Sequence, residues 1–89
     1  MPTVIIKKLI SGEIKNRGIL NWPIWTKEVS RFDHVYDGAE ECLFLEGDVT
    51  IETKAGNMNI KPGDFVIFED GLECVWDIRK PVKKHYNFP

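Results

Sequence analysis

Short β-type segments separated by turn residues constrain the fold of this chain more than any other feature. Apolar or alternating stretches are interrupted by Gly, Pro, Asn and Asp residues at 37–39, 47–48, 55–57, 61–64 and 69–71. Parallel strands need crossover connections of about a dozen residues or more, usually helical, and the only helical candidate is a short turn at 13–17. The pattern therefore predicts an all-β domain of about seven or eight antiparallel strands, arranged as a small barrel or jelly-roll sandwich.

Length and composition indicate one folded domain, residues 1–89. The chain is too short for a second core, and 43% hydrophobic with 29% charged residues is typical of a folded globular protein. Its 12 basic and 14 acidic residues give a net charge of -2, and only Lys80, Lys83 and Lys84 form a basic cluster. A nucleic-acid-binding protein normally carries a basic stripe, so this class of partner is disfavoured.

The sequence also disfavours a membrane association. No apolar stretch approaches the roughly 18 residues of a membrane-spanning helix, and the N-terminal residues lack the order of charge, apolar core and cleavage site of a signal peptide. We therefore expect a cytoplasmic protein. In that reducing compartment Cys42 and Cys74 are expected to be free thiols, with one disulfide as the alternative.

The positions of the strands follow from β-branched and alternating residues. Residues 3–9 predict an edge strand, after which Ser11 would cap a short helical turn that ends at Gly18. Residues 26–36 alternate as one strand, with Phe32, His34 and Tyr36 on its inner face. Further strands are predicted at 42–45, 49–53, 58–60, 65–68, 74–78 and 82–88, and the first and last strands are expected to lie near each other.

The stretch from His34 to Gly47 carries the candidate chemistry. His34 and Tyr36 lie on one face of a strand, and Glu40 follows the turn after them. Imidazole, phenol and carboxylate groups bind first-row metals or transfer protons, so their spacing predicts a functional site as well as packing.

Aromatic and basic residues outside this stretch have simpler interpretations. Trp22 and Trp25 flank a proline and are expected to form a hydrophobic lid, with a binding platform as the alternative. Lys83, Lys84 and His85 are expected to be a solvated rim, with Lys84 or His85 near the mouth of a pocket as the alternative.

The stretch from His34 to Gly47 resembles the first motif of the cupin family. The His-x-His, Glu and Gly of that motif fall on His34, Tyr36, Glu40 and Gly47, and Tyr36 stands where the family has its second histidine. The leading glycine of the motif is absent.

The second cupin motif lies further along the chain. Its glycines fall on Gly63 and Gly71, whereas Glu69 replaces the proline and Cys74 the histidine. The chain from 22 to 88 is similar to the small single-domain cupins grouped with the (S)-ureidoglycine aminohydrolase cupin domain family. This resemblance implies the cupin barrel, a double-stranded β-helix.

The resemblance further implies one interior site built from His34, Tyr36, Glu40 and Cys74, as catalytic groups or as metal ligands. A divalent ion there would be Mn, Fe, Ni or Zn, since the imidazole and carboxylate suit all four and a thiolate favours Zn or Fe. The alternative is a metal-free pocket in which Tyr36 bonds to Glu40 and Cys74 is only a small buried side chain. Cys42 is also expected to line this cavity.

Three functions remain open on this basis. The first is an enzyme acting on a small polar nitrogenous or carbonyl metabolite, with Glu40 and His34 as acid and base. The second is a metal-free binding or sensor module for such a small-molecule ligand, and the third a structural domain. A homodimer is expected through the open N-terminal edge strand, with Trp22 and Trp25 as interface candidates. The thiol pKa of Cys74 is expected to be raised.

Overall fold

The computed structural model describes residues 1–89 and contains seven strands and two short helical segments. All strand pairs are antiparallel, as predicted. In chain order the elements are β1 (Val4–Lys8), α1 (Ser11–Asn16), a 3₁₀ turn (Ile19–Asn21), β2 (Ile24–Lys27), β3 (Ser30–Val35), β4 (Glu40–Thr53), β5 (Gly56–Ile60), β6 (Asp64–Phe68) and β7 (Glu73–Asn87).

The sheet divides into two leaves because β4 and β7 are long and pair with each other on both sides of a bend. The first leaf has the order β1, β6, the first half of β4, the second half of β7, and β2. The second leaf has β5, the second half of β4, the first half of β7, and β3. The barrel is thus one hydrogen-bonded sheet folded over itself, which confirms the predicted all-β class.

A bulged bend at Gly47 replaces the turn that was predicted at 47–48. The register between β4 and β7 shifts on either side of Glu46 and Asp48, and Gly47 has φ 119°. A Cβ at this position would lie 2.9 Å from Val82 Cγ2 and 3.0 Å from the carbonyl oxygen of Pro81. Glycine therefore allows β4 and β7 to approach each other closely at this bend. Residues 42–45 and 49–53 form one strand, as do 74–78 and 82–88.

Three other sequence predictions also need correction. The alternating stretch 26–36 is interrupted at Glu28–Val29 and forms two strands, β2 and β3. Helix α1 begins at Ser11, and Ile10 occupies the N-cap position, with its N–H donating to the Glu13 carboxylate at 3.3 Å. The first and last strands, expected to lie near each other, are in the same leaf but are separated by β6 and β4; β1 is an edge strand, as predicted.

The main hydrophobic core fills the space between the leaves and contains side chains from both. Phe68 of the first leaf meets Trp76 of the second with ring centroids 5.5 Å apart, and Ile51 and Ile78 are fully buried around them. A smaller cluster on the outer side of the first leaf is centred on Phe65 and covered by the helical segments. The longest helix has six residues, and none is long and apolar enough to cross a membrane.

Candidate ligand-binding cavity

A cavity of about 470 Å³ opens at one end of the main core. Its volume lies in the range of small-molecule sites. Aromatic rings form most of its wall, and exposed residues such as His34 and Asp37 connect it to solvent. The lining residues are Trp25, Phe32, His34, Val35, Tyr36, Asp37, Gly38, Glu40, Trp76, Lys84, Tyr86 and Phe88.

Lys84 is the charged group deepest in this cavity, with only 4% of its side chain exposed. It lies on β7, directly between Phe44 of β4 and Trp25 of β2 in the sheet register. Its Nζ lies 4.7 Å from the ring centroid of Trp76 and 4.9 Å from that of Trp25, and the rings of Phe44 and Phe68 are each 5.7 Å away. This is a cation–π environment on several sides.

Two polar partners complete the surroundings of the Lys84 ammonium. Its Nζ donates to Glu40 Oε2 at 3.3 Å and to Cys42 Sγ at 3.2 Å. An ammonium has three N–H donors, so one is left without an acceptor in the protein. Glu40 Oε1 receives no hydrogen bond from an N–H or O–H group, although Glu40 lines the cavity; the neutral Cys42 thiol lies beside the same carboxylate. The buried ion pair thus leaves one donor and one acceptor for a ligand.

Trp76 provides a further unused donor. The residue is 2% exposed and lies on the cavity wall. Its Nε1 makes no hydrogen bond of normal geometry, although it lies near enough to the Tyr36 hydroxyl to oppose the rise in the pKa of that group. A buried indole N–H usually finds a partner. The unpaired donor indicates that a ligand acceptor atom would be favourable here.

His34 and Tyr36 line the same cavity as Glu40, as the sequence predicted. Their rings meet edge to face with centroids 4.4 Å apart, and Tyr36 stacks on Phe68 at 4.8 Å. Tyr36 is buried, and burial raises the pKa of its hydroxyl well above the usual value, with a smaller contribution from the Glu40 carboxylate. The Tyr36 hydroxyl is therefore neutral, and His34 stands at the solvent side.

Cys74 does not lie on the wall of this cavity. It pairs with His34 in the β3–β7 register and lines a neighbouring open groove with His34, Glu52 and Glu73. His34 lies between the two spaces. Burial raises the pKa of the Cys74 thiol to about 11, which confirms the predicted direction, although no carboxylate contributes. The structure thus brings three of the four predicted residues into one cavity and leaves Cys74 beside them.

Cys42 is fully buried beneath Lys84 and is not part of the cavity wall. Burial raises the pKa of its thiol to about 12, even though the Lys84 ammonium opposes that shift. Both cysteines are free, as expected.

The comparisons with known proteins agree with this architecture. The model of the EutQ-like cupin domain matches residues 14–86. The chain belongs to this cupin family. It is 44% identical to a DUF861 family protein from Thermotoga maritima, whose crystal structure superposes with a TM-score of 0.94 and covers 98% of this chain and 100% of that one.

More distant structures share the fold. The EutQ protein of Clostridium difficile is 14% identical with a TM-score of 0.67, and the match covers 99% of this cupin and 69% of that chain. A DUF861 family protein of Pseudomonas syringae is 23% identical with a TM-score of 0.65, over 71% of this chain and 28% of that one. A search of the curated proteins finds no match.

A divalent ion at the site expected in this cupin would need about three or more protein ligands around Glu40. No three of the protein's His, Cys, Asp and Glu side chains are arranged to hold an ion. The carboxylate of Glu40 is instead bonded to a lysine ammonium. A cation beside Glu40 would meet this positive charge, and Cys74 lies in the neighbouring groove.

Lys84 and His85 were expected in a solvated rim, which is wrong because both are buried; the alternative that Lys84 reaches the pocket agrees with the structure. The missed signal is the alternation of the last strand, where Val82, Lys84 and Tyr86 share one face. The two neighbours on that face are apolar, which indicates that Lys84 points inward. His85 lies on the opposite face, where its Nδ1 is 2.9 Å from the carbonyl oxygen of Trp22.

The two tryptophans have separate roles. Trp22 packs on Phe65, with ring centroids 6.4 Å apart, and covers the smaller cluster as a lid. Trp25 packs edge to face on Trp76 at 5.7 Å and forms part of the cavity wall. Both are half-buried within the protomer.

Proposed function

We propose that this cupin binds a small polar metabolite carrying an amide-type group, such as a ureido, carboxamide or lactam group, in its barrel cavity. The observation that carries this proposal is the ion pair of Lys84 and Glu40, which offers one free N–H donor beside one free carboxylate acceptor. An amide presents the complementary C=O and N–H groups side by side. Lys84 Nζ is in direct contact with the Glu40 carboxylate, at 3.3 Å from Oε2, so the two groups are close enough to engage one amide.

The walls of the cavity favour a planar ligand. Trp25, Phe32 and Trp76 line the cavity and give it an aromatic wall against which a flat conjugated amide or ureide can pack. The unpaired indole N–H of Trp76 adds a second donor for a ligand oxygen. A buried site that hydrogen-bonds a polar group rejects ligands that lack it, because its own groups would then remain unpaired.

A calorimetric titration tests the ligand class. The probes are hydantoin and N-carbamoylglycine, which carry a ureide group, and glycine, which lacks it. We expect the two ureides to bind and glycine to give no signal. The double variant Glu40→Leu/Lys84→Met removes the donor–acceptor pair, while replacing both charges with apolar groups keeps the fold. Its affinity for both probes should fall by about tenfold or more, since a hydrogen bond to a charged group is worth about 1.5–3 kcal/mol.

The chain offers a matched control on the same two strands. Lys83 and Glu46 form an exposed pair 3.9 Å apart, and Glu46→Leu/Lys83→Met should leave binding unchanged. Failure of both ureides to bind, or equal loss in the two double variants, would refute the proposal.

Turnover is the second candidate function, and it corresponds to membership of the ureidoglycine-aminohydrolase-like group. The supporting observation is that His34 lines the cavity together with Glu40. These are two groups able to move protons to and from a ligand nitrogen. Ammonia release from (S)-ureidoglycine measures this activity. His34→Ala should abolish release and retain N-carbamoylglycine binding if the protein is an enzyme, whereas binding without any ammonia release indicates a sensor or carrier.

A further inference from the structure

We infer that the ammonium of Lys84 is the resident cation of the barrel cavity. It fills the position beside Glu40 that a divalent ion would otherwise take, and it polarises the ligand carbonyl. The cation assignment stands on the contacts of Lys84 itself. Only the statement about the ligand carbonyl rests on the proposed function.

The position of Nζ supports this inference first. Glu40 Oε2 at 3.3 Å and Cys42 Sγ at 3.2 Å converge on it from β4. A carboxylate and a thiol are groups that ligate Zn²⁺ or Fe²⁺, and Lys84 Nζ lies in contact with both. A divalent ion at this position would have to displace a buried ammonium.

The aromatic rings support it second. Four aromatic ring centroids lie 4.7–5.7 Å from Nζ, those of Trp25, Phe44, Phe68 and Trp76. Ring faces attract a cation through their quadrupoles, more strongly when the cation is removed from water. Together with the Glu40 carboxylate, these rings surround the Lys84 ammonium with favourable electrostatic contacts.

The third support is the remaining N–H of Lys84. Glu40 and Cys42 take two of its three donors. A ligand carbonyl oxygen placed against the third would receive a charge-assisted hydrogen bond, which is shorter and stronger than one from a neutral donor. The cavity therefore has a built-in electrophilic group, as a metal site would.

Titration with Co²⁺ tests the cation assignment without any organic ligand. Co²⁺ gives visible absorption bands when bound by thiolate or low-coordinate sites, and it reports on Zn²⁺-type sites. We expect the visible spectrum of Co²⁺ to stay that of the aqueous ion when the wild-type protein is present. Lys84→Ala frees the Glu40 carboxylate and the Cys42 thiol and should bind Co²⁺ at least about tenfold more tightly than wild type. Adding Glu40→Leu should abolish that gain.

Lys83→Ala is the control, since Lys83 is the neighbouring residue with a side chain that is 42% exposed. It should behave as wild type. If the wild-type protein binds Co²⁺ and Glu40→Leu removes that binding, the inference is overturned, whether or not Lys84→Ala folds. A folded Lys84→Ala protein with no gain in Co²⁺ affinity overturns it as well. Neither result depends on ureide binding, so this inference and the proposed function fail separately.

Discussion

Replacing Lys84 with methionine should destabilise the fold by an amount that the buried ion pair sets. Methionine retains the length of the side chain and contacts aromatic rings well, but it leaves the Glu40 carboxylate, 10% exposed, without its partner. Removing one partner of a buried pair typically costs about 3–5 kcal/mol. Methionine–aromatic contacts return about 0.3–1.5 kcal/mol, so we expect Lys84→Met to lower the free energy of unfolding by about 3 kcal/mol.

The double variant Glu40→Leu/Lys84→Met should recover most of that loss. Replacing both members of a buried pair with apolar residues of similar volume is often neutral or stabilising. The double-mutant cycle should therefore show a coupling of about 2–3 kcal/mol between the two positions, within the range found for residues in contact.

Equilibrium unfolding in urea, followed by tryptophan fluorescence, measures these values. Trp25 and Trp76 lie beside Lys84 and report on this region directly. Lys83→Met is the control and should change stability by less than about 1 kcal/mol, as is usual for an exposed pair. If Lys84→Met were within about 0.5 kcal/mol of wild type, or if the two single changes were additive, the ion pair would not exist in the folded protein in solution.

Three further predictions concern other parts of the molecule. Cys42 and Cys74 should react with a thiol reagent more slowly than a free cysteine at pH 7, because burial raises both thiol pKa values. The same pKa shifts favour the folded state below about pH 8.5, so the free energy of unfolding should fall as the pH rises from there toward pH 11–12. A free energy of unfolding that does not change over this range would contradict these shifts. Gly47→Ala should lower the free energy of unfolding more than Gly56→Ala does. Both residues have positive φ, where alanine carries about 1–3 kcal/mol of strain, but only at position 47 would the new Cβ also press against Val82. Equal urea midpoints for the two variants would contradict this. The open edge of β1 predicts a homodimer, so light scattering should give twice the 10.3 kDa chain mass, and a monomer mass would disprove it.

Turn chemistry made most of the fold predictable from the sequence. Gly63 and Gly71, for example, have positive φ in turns that lie where their neighbours predicted them. The same reasoning failed at Gly47, because a hairpin turn and a β-bulge both use glycine with positive φ. Only the pairing of β4 with β7 on both sides of Gly47 distinguishes them, and that is a long-range property.

The candidate site was only partly predictable for a related reason. Motif spacing assigned His34, Tyr36 and Glu40 to one space, because strand alternation fixes the face on which each side chain lies. The cupin resemblance also assigned Cys74 to this space, whereas in the structure Cys74 pairs with His34 and lines the neighbouring groove. Alternation does not fix how far along the barrel axis a residue lies. Cys74 shares the main core with Tyr36 but borders the neighbouring groove and not the cavity.

Lys84 connects the stability of this cupin with its proposed function. A fold selected for stability alone has no need of a lysine and a glutamate inside its core, because apolar residues at both positions would serve as well or better. The cavity nevertheless holds this pair, with one donor and one acceptor left unused. If the pair is there for a ligand, then Glu40→Leu/Lys84→Met should keep wild-type stability and lose ureide binding. A double variant that lost both together would mean that the pair is needed for folding, and the case for a ligand would then rest on the unpaired indole N–H of Trp76 alone.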